Sequence, residues 1–412
     1  MTGTTNPFRM KIFIIPNGLG HLSLRPRRAG PAVALIPEND IPPTDAPDLG
    51  GFAGRWNRRR RRGNLPRVSR MSEHTVTFRL TDPERRLAGV RLVQDVRIPG
   101  DRLGFRRDGD GWELVIGRPP VHRMEYLLEL RHPNGGVETV LDPGNPRQVA
   151  GAFGPKSVLE FPGYPAPGWL SAAAGPGTVT DFEVPVGALD AAVAVRLWSP
   201  EGTRHDERLP LLLVHDGPEY DTLASLTRYL AAGTAGHWLP RLRAALLSPG
   251  PRDRWYSANM RYTRALCTAV LPAVTGRAAT SVRVGMGTSL GALAMLHAHC
   301  RYPDVLDALF LQSGSFFLPR FDAHEHRFRY YRRIVRFVAG VHDGGLPPLP
   351  VPAVFTCGVI EENIENNRLM TRTLTARGYP ATLHEVPDMH NYTAWRDAFD
   401  PALTELLGRV AS

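Results

Sequence analysis

The pattern of apolar and polar positions changes character twice along this chain. Before residue 75 no period is sustained. From 75 to 165 the pattern has a period of two. Val76, Phe78 and Leu80 alternate with polar neighbours, and Val90, Leu92 and Val93 form a second run. Trp112, Leu114 and Ile116 follow an Asp108-Gly109-Asp110-Gly111 turn. Tyr126, Leu127, Leu128 and Leu130 lead through Asn134-Gly135-Gly136, a hairpin signal, to Val137, Thr139 and Leu141. Short strands at regular spacing, with turn residues between them, predict a small β-sandwich. Asp142-Pro143-Gly144-Asn145-Pro146 closes it, and a Pro/Gly-rich connection, Phe161-Pro162-Gly163-Tyr164-Pro165, leads onward.

From about residue 170 strand-like runs alternate with helical ones. Strands are expected at 192–197, 209–214, 242–247, 282–286, 308–311, 353–356 and 382–386. The run at 209–214 is continuously apolar, as a strand buried on both faces must be. Helices are expected at 221–232, 259–273, 363–377 and 393–408, and directly after residue 289. Such alternation predicts a parallel sheet covered by helices on both sides. The 412 residues thus divide into a segment 1–70, a β-sandwich at 71–165 and an α/β domain at 166–412.

Composition changes the picture mainly at the N-terminus. A content of 42% hydrophobic and 22% charged residues is that of a globular protein. The net charge of +10 invites a nucleic-acid reading, but residues 1–70 hold thirteen basic and four acidic side chains, leaving +1 for everything after them. The remainder has no global basic field, so neither nucleic acid nor membrane is expected as a partner. The first segment is read as disordered, with Arg58–Arg62 as a basic arm in the alternative reading. Met71 is expected to be the true start. Cys267, Cys300 and Cys357 are odd in number, widely spaced and without zinc-ligand spacing. With no apolar run of about 18 residues and no secretory pattern, a cytoplasmic location is expected.

The candidate chemistry centres on Gly287-Thr288-Ser289-Leu290-Gly291. A β-like run precedes it and a strong helix former, Ala292 to Leu296, follows. A serine thrust from a sharp strand-to-helix turn needs residues without Cβ where strand and helix pass closest. The same helix points its first N–H groups at a developing oxyanion. A serine also needs a base, and the base an orienting acid. The loop after strand 353–356 offers Glu361 and Glu362, and the loop after 382–386 offers His390. Both fall in the order Ser, acid, His, each just past a strand's carboxyl end. The pattern leaves Glu361 and Glu362 both open. For the oxyanion hole, one donor is expected at Leu290 N–H and the second at Gly217 or a neighbour in Val214-His215-Asp216-Gly217-Pro218. His324 and His326 form an H-x-H pair without a second cluster, so no metal and no cofactor is expected.

These residues together resemble the enterochelin esterase family, within the esterase D-like group of α/β-hydrolases. The resemblance runs over nearly all of 75–412. It includes Asp142-Pro143-x-Asn145-Pro146, Lys156–Glu160, His215-Asp216-Gly217-x-x-Tyr220, Arg252 to Asn259, Gly287–Gly291 and Gln312-Ser313-Gly314-Ser315-Phe316. It continues from Gly358-x-x-Glu361 through Asn366 and Asn367 to His390-Asn391-x-x-x-Trp395-Arg396. The resemblance implies an α/β-hydrolase fold with an N-terminal immunoglobulin-like β-sandwich domain. It implies Ser289 as nucleophile, His390 as base and Glu361 as acid. It also implies a serine esterase acting on a small-molecule ester, the family's own being siderophore trilactones, with Arg252, Trp255, Trp395 and Arg396 as the matching substrate-binding residues. The stretch 316–349, rich in Phe, Tyr and Arg, is expected to be a lid over the substrate. Where the family often has Gly-Gly-His-Asp, this chain has Asp388-Met389-His390-Asn391. Two other readings carry different outcomes. One is acyl transfer to an alcohol, as in the mycolyltransferases of the same group; the other is a glycan-binding protein with a vestigial hydrolase domain.

Overall fold

A computed structural model describes residues 74–411 except residue 97. The expectations for residues 1–70 lie outside the described residues.

Eight short strands come first: β1 (Thr75–Thr81), β2 (Gly89–Gln94), β3 (Arg106–Asp108), β4 (Gly111–Gly117), β5 (Arg123–Arg131), β6 (Val137–Val140), β7 (Gln148–Val149) and β8 (Lys156–Glu160). They make two antiparallel sheets, one in the order β1-β4-β3 and one in the order β2-β5-β8-β7 with β6 also paired to β5. The period-two pattern puts Val76, Phe78, Trp112 and Leu114 of the first sheet into one core with Leu92, Tyr126, Leu128 and Leu159 of the second. Tyr126 meets Phe78 edge-on at 5.1 Å and donates its hydroxyl to Asp142 at 2.6 Å. Asn145 in turn donates to that hydroxyl and to Val158 O. The Asp-Pro-Gly-Asn-Pro turn is therefore pinned from inside.

The second part is an eight-stranded mixed sheet, built from β9 (Gly177–Val186), β10 (Ala191–Pro200), β11 (Leu209–Val214), β12 (Arg243–Leu247), β13 (Thr280–Thr288), β14 (Ala308–Gln312), β15 (Ala353–Gly358) and β16 (Ala381–Val386). Their order is β16-β15-β14-β13-β11-β12-β10-β9. β11 to β16 run parallel to their neighbours, while β9 and β10 are antiparallel additions at one edge. The helices α1 (Gly217–Ala224), α2 (Leu226–Ala235), α3 (Arg252–Tyr256), α4 (Met260–Ala265), α5 (Leu271–Thr275), α6 (Leu290–Arg301), α7 (Tyr331–His342), α8 (Ile364–Ala376), α9 (Tyr392–Asp397) and α10 (Thr404–Ala411) cover both faces. This is the α/β-hydrolase arrangement. Chain order reverses between β11 and β13, and in open parallel sheets the crevice beyond the carboxyl ends at such a reversal takes the ligand.

Three expectations are corrected here. Strand β9 is added to the sheet; most of its length is exposed, so its alternation carried little apolar signal. The helix expected over 393–408 is interrupted at Asp400, whose φ of −110° and ψ of 123° leave the helical region just before Pro401. Within the expected lid, α7 buries Ile334, Phe337, Val338 and Val341 in the core shared with the sheet. It is the crossover from β14 to β15, with Arg332 and Arg336 outward and Arg333 donating to Ser257 O and Arg254 O, and not a cover free to open.

Candidate active site

Ser289 ends β13 and begins α6, with φ 54° and ψ −118°, a combination that side-chain-bearing residues rarely adopt. The turn is that sharp because strand and helix touch. A Cβ on Gly287 would lie 2.5 Å from the carbonyl carbon of Gly291 and 2.9 Å from Ala292 N. A Cβ on Gly291 would come within 3.2 Å of His215 Cβ. Close approach thus requires glycine at 287, while at 291 a Cβ would be a tight fit against His215 and Asp216. Ser289 is buried, and its Oγ lies 3.0 Å from Ser315 Oγ. Its backbone is tied on both sides: Ser289 N donates to Gln312 O at 2.9 Å and Ser315 N donates to Ser289 O at 3.1 Å.

His390 and Glu361 form a buried pair with Nδ1 and Oε2 2.7 Å apart. The other oxygen of Glu361 accepts from Ser313 Oγ at 2.8 Å and from Gly358 N at 2.7 Å. Ser313 Oγ also accepts from Trp395 Nε1 at 2.9 Å, and the Trp395 ring stands edge-on to the imidazole at 5.0 Å. Glu362 turns the other way and meets His324 Nε2 at 2.9 Å. Of the two acids it is Glu361 whose carboxylate contacts His390. The loop after β14, Ser313 to Ser315, links the two halves, since it touches Ser289 on one side and Glu361 on the other. Asn367 holds this loop by accepting from Gly314 N and donating to Gly314 O, and Asn363 donates to Ser313 O.

The opposite wall is the turn after β11. Asp216 adopts a left-handed conformation, φ 52°, and Gly217 opens α1. A Cβ at Gly217 would lie 2.4 Å from Leu246 Cα, so this turn is pressed against β12. His215 contacts Gly291 O through Nδ1 at 3.1 Å and Tyr262 Oη through Nε2 at 2.8 Å. Complete burial pulls its pKa down to about 4, so it is a neutral strut. Leu290 and Gly217, the two expected oxyanion donors, open α6 and α1 on the two adjacent strands that flank the topological reversal. N–H groups in a first turn have no partner within their own helix.

The four residues matched to substrate binding are placed differently from one another. Arg252 is buried, with Nε 2.8 Å from Asp216 Oδ1 and its terminal nitrogen 2.8 Å from Oδ2. Burial alone would lower its pKa, but the carboxylate outweighs this and holds it above the usual value. Trp255 is buried too, stacked on Tyr262 at 5.3 Å in the core beneath α3. Arg252 braces the β11 turn and Trp255 fills the core. Trp395 backs the histidine, and Arg396 pairs with Asp397 and donates to Tyr164 Oη at 3.2 Å.

Ser313, Ser315 and Asp388 were given no role by the sequence reading. The first two had a signal, a Ser-Gly-Ser run at the carboxyl end of a buried strand. Asn391, which stands where the resemblance leads one to expect an acid, caps α9 by accepting from Ala394 N at 2.8 Å. His297 and His299 are packing residues, against Phe337 and Tyr379. Among the described residues no group of three or more His, Cys, Asp or Glu is gathered as a metal site, and no helix is long and apolar enough to cross a membrane.

Comparison with known proteins adds the class. Residues 187–406 match the family model described as "Putative esterase". Among solved structures, the enterobactin esterase FES of Shigella flexneri, crystallised in the presence of enterobactin, superposes with a TM-score of 0.65 at 20% identity, over 83% of this chain and 94% of that one. Another structure of the Shigella flexneri enterochelin esterase gives 0.66 at 20%, over 83% and 95%. The ferric enterobactin esterase of Salmonella typhimurium gives 0.66 at 20%, over 82% and 94%. At such identities the likeness establishes the fold. No curated protein matches the chain in sequence.

Proposed function

This chain belongs to the esterase family and is a carboxylic ester hydrolase; from that premise we propose that it works through an acyl-enzyme on Ser289. The observation that carries the proposal is the strained backbone of Ser289 at a strand-to-helix turn, the conformation of a nucleophile held out of its own helix.

In the proposed sequence His390 Nδ1–H donates a hydrogen bond to Glu361, which fixes the tautomer and leaves Nε2 as the acceptor. Nε2 takes the hydroxyl proton as Ser289 Oγ attacks the ester carbonyl. Charge moves to the carbonyl oxygen, stabilised by the Leu290 and Gly217 N–H groups. Collapse expels the alcohol, protonated by His390, and leaves the acyl-serine. Water, deprotonated by the same Nε2, attacks the acyl carbon and releases the acid, returning the proton to Ser289 Oγ. Glu361 stays ionised throughout.

For substrate we propose a siderophore ester, a reading supported by likeness of fold to the enterobactin esterases. Arg252, Trp255, Trp395 and Arg396 are the candidates for the substrate side, on their resemblance to the family's pattern. We read the two small sheets as an immunoglobulin-like β-sandwich of residues 71–165, and 166–412 as the catalytic domain. We further propose a cytoplasmic enzyme whose partner is the small-molecule ester, with neither nucleic acid nor membrane required.

Ser289→Ala should abolish ester hydrolysis and the fluorophosphonate adduct while circular dichroism stays unchanged; retained activity would end the proposal. Unlabelled wild-type Ser289 would favour a binding protein instead. A panel of esters that includes an iron-free and an iron-loaded trilactone decides the substrate.

A further inference from the structure

We infer that Arg123, at the start of β5 in the larger N-terminal sheet, is a positioning residue for the histidine loop and acts through Asp388. The inference rests on the reading of His390 as the base.

Arg123 and Glu125 are buried at the start of β5, on the face opposite Met124, Tyr126 and Leu128, which the alternation puts into the apolar core. Arg123 is 2% exposed. Its Nε faces Asp388 Oδ2 at 3.4 Å and Asp397 Oδ2 at 3.9 Å, and its terminal nitrogen faces Glu125 Oε1 at 3.7 Å. Asp388 lies two residues before His390, and Asp397 closes the helix that follows. Both carboxylates therefore belong to the segment that carries the imidazole, while the cation belongs to the N-terminal sheets.

Two neighbouring contacts show that this attachment is built. His122 N donates to Pro387 O at 2.6 Å. Met389, between Asp388 and His390, is buried in the core of the N-terminal sheets together with Phe78, Tyr126 and Leu159. Asp388 Oδ1 accepts from Met389 N at 2.8 Å, so the carboxylate also shapes the turn. The loop is thus held by a cation, a strand-like hydrogen bond and an apolar side chain, all reaching across from the other sheets. These contacts lie at ion-pair distances, so the clamp depends on charge.

The groups facing Asp388 are Arg123 and Glu125 of β5 and Asp397 of α9; Tyr164 and Arg396 complete the cluster around Asp397. Burial raises the Asp388 pKa to about 7, against the pull of Arg123. As pH falls through that value Asp388 takes up a proton and the clamp loses its anion.

The test uses the full chain with Arg123→Gln, Asp388→Asn and the two combined. A nitrophenyl ester and a fluorophosphonate serve as probes. Each single change should lower kcat and the rate of Ser289 labelling by about tenfold or more, with KM within about twofold. The double variant should lose no more than either single one, and Arg123→Lys should recover part of the loss. Across roughly pH 5.5 to 8.5 the acid limb of wild-type labelling should show two protons, and that of Asp388→Asn one. Folded single variants with unchanged kcat, additive losses in the double, or a one-proton wild-type limb would overturn the inference. The wild-type limb decides by itself should a variant not fold. His390→Ala separates the two levels. Activity retained there sinks the assignment of the base, whereas activity lost there but normal in the Arg123 and Asp388 variants sinks only the clamp.

Discussion

The nucleophile turn and the histidine loop are two ends of one proposed machine, held by opposite means. Ser289 is fixed by its immediate neighbours, since the turn is forced by Gly287 lying against Gly291 and by backbone bonds to the adjacent strand. His390 is fixed by Glu361, 29 residues away in sequence, by Trp395 of the following helix, and by a loop whose core residue, Met389, packs among the N-terminal strands. Local geometry buys precision at one end, and long-range packing supplies it at the other. The two should therefore fail differently when broken.

The largest effect is expected at Gly287→Ala. The added Cβ meets backbone on three atoms of Gly291 and Ala292, so nothing flexible can yield. Either β13 and α6 separate or Ser289 leaves its turn. We expect activity to fall by about a hundredfold or more, with a stability loss of about 2 kcal/mol or more. Activity and thermal denaturation measured side by side check this. A fully active, fully stable variant would mean that the turn is not set by close approach.

On the histidine side the contrast lies between adjacent acids. Glu361→Gln keeps the shape but replaces the carboxylate at Nδ1, and kcat should drop by about a hundred to ten thousandfold with little change in KM. Glu362→Gln alters the contact with His324, away from His390, and should stay within about threefold. Equal losses at both positions would show that the loop, and not the Nδ1 contact, is what matters.

This asymmetry also explains what could be read in advance. The order Ser289, Glu361, His390 at successive strand ends was legible because each residue lies just past an apolar strand. The glycines were legible because a Cβ clash is local. The β-sandwich pattern was legible because Val76, Phe78, Trp112 and Leu114 keep strict alternation. Choosing between Glu361 and Glu362 from the pattern was not possible, since adjacent residues differ only in which wall they face. Nor could it be seen that Arg252 would be consumed by Asp216, because two residues 36 apart reveal their pairing only once folded. Arg123 left no trace, since it falls on the polar face of its strand's alternation and its burial against Asp388 appears only once the chain is folded.

A smaller effect than at Glu361, and the one that joins the two regions, is expected at Ser315. Its N–H holds the Ser289 carbonyl and its hydroxyl lies 3.0 Å from Ser289 Oγ. Substitution by alanine leaves the backbone bond and removes only the hydroxyl. If that hydroxyl orients Oγ for proton transfer to the base, Ser315→Ala should lower kcat by about three- to tenfold at constant KM. Ser289 labelling should slow by the same factor, because the probe reports Oγ reactivity without the ester's own binding. An increase in both rates would reverse the assignment. The Ser315 hydroxyl would then hold the nucleophile back in a resting rotamer, and the histidine would have to displace it before the reaction starts.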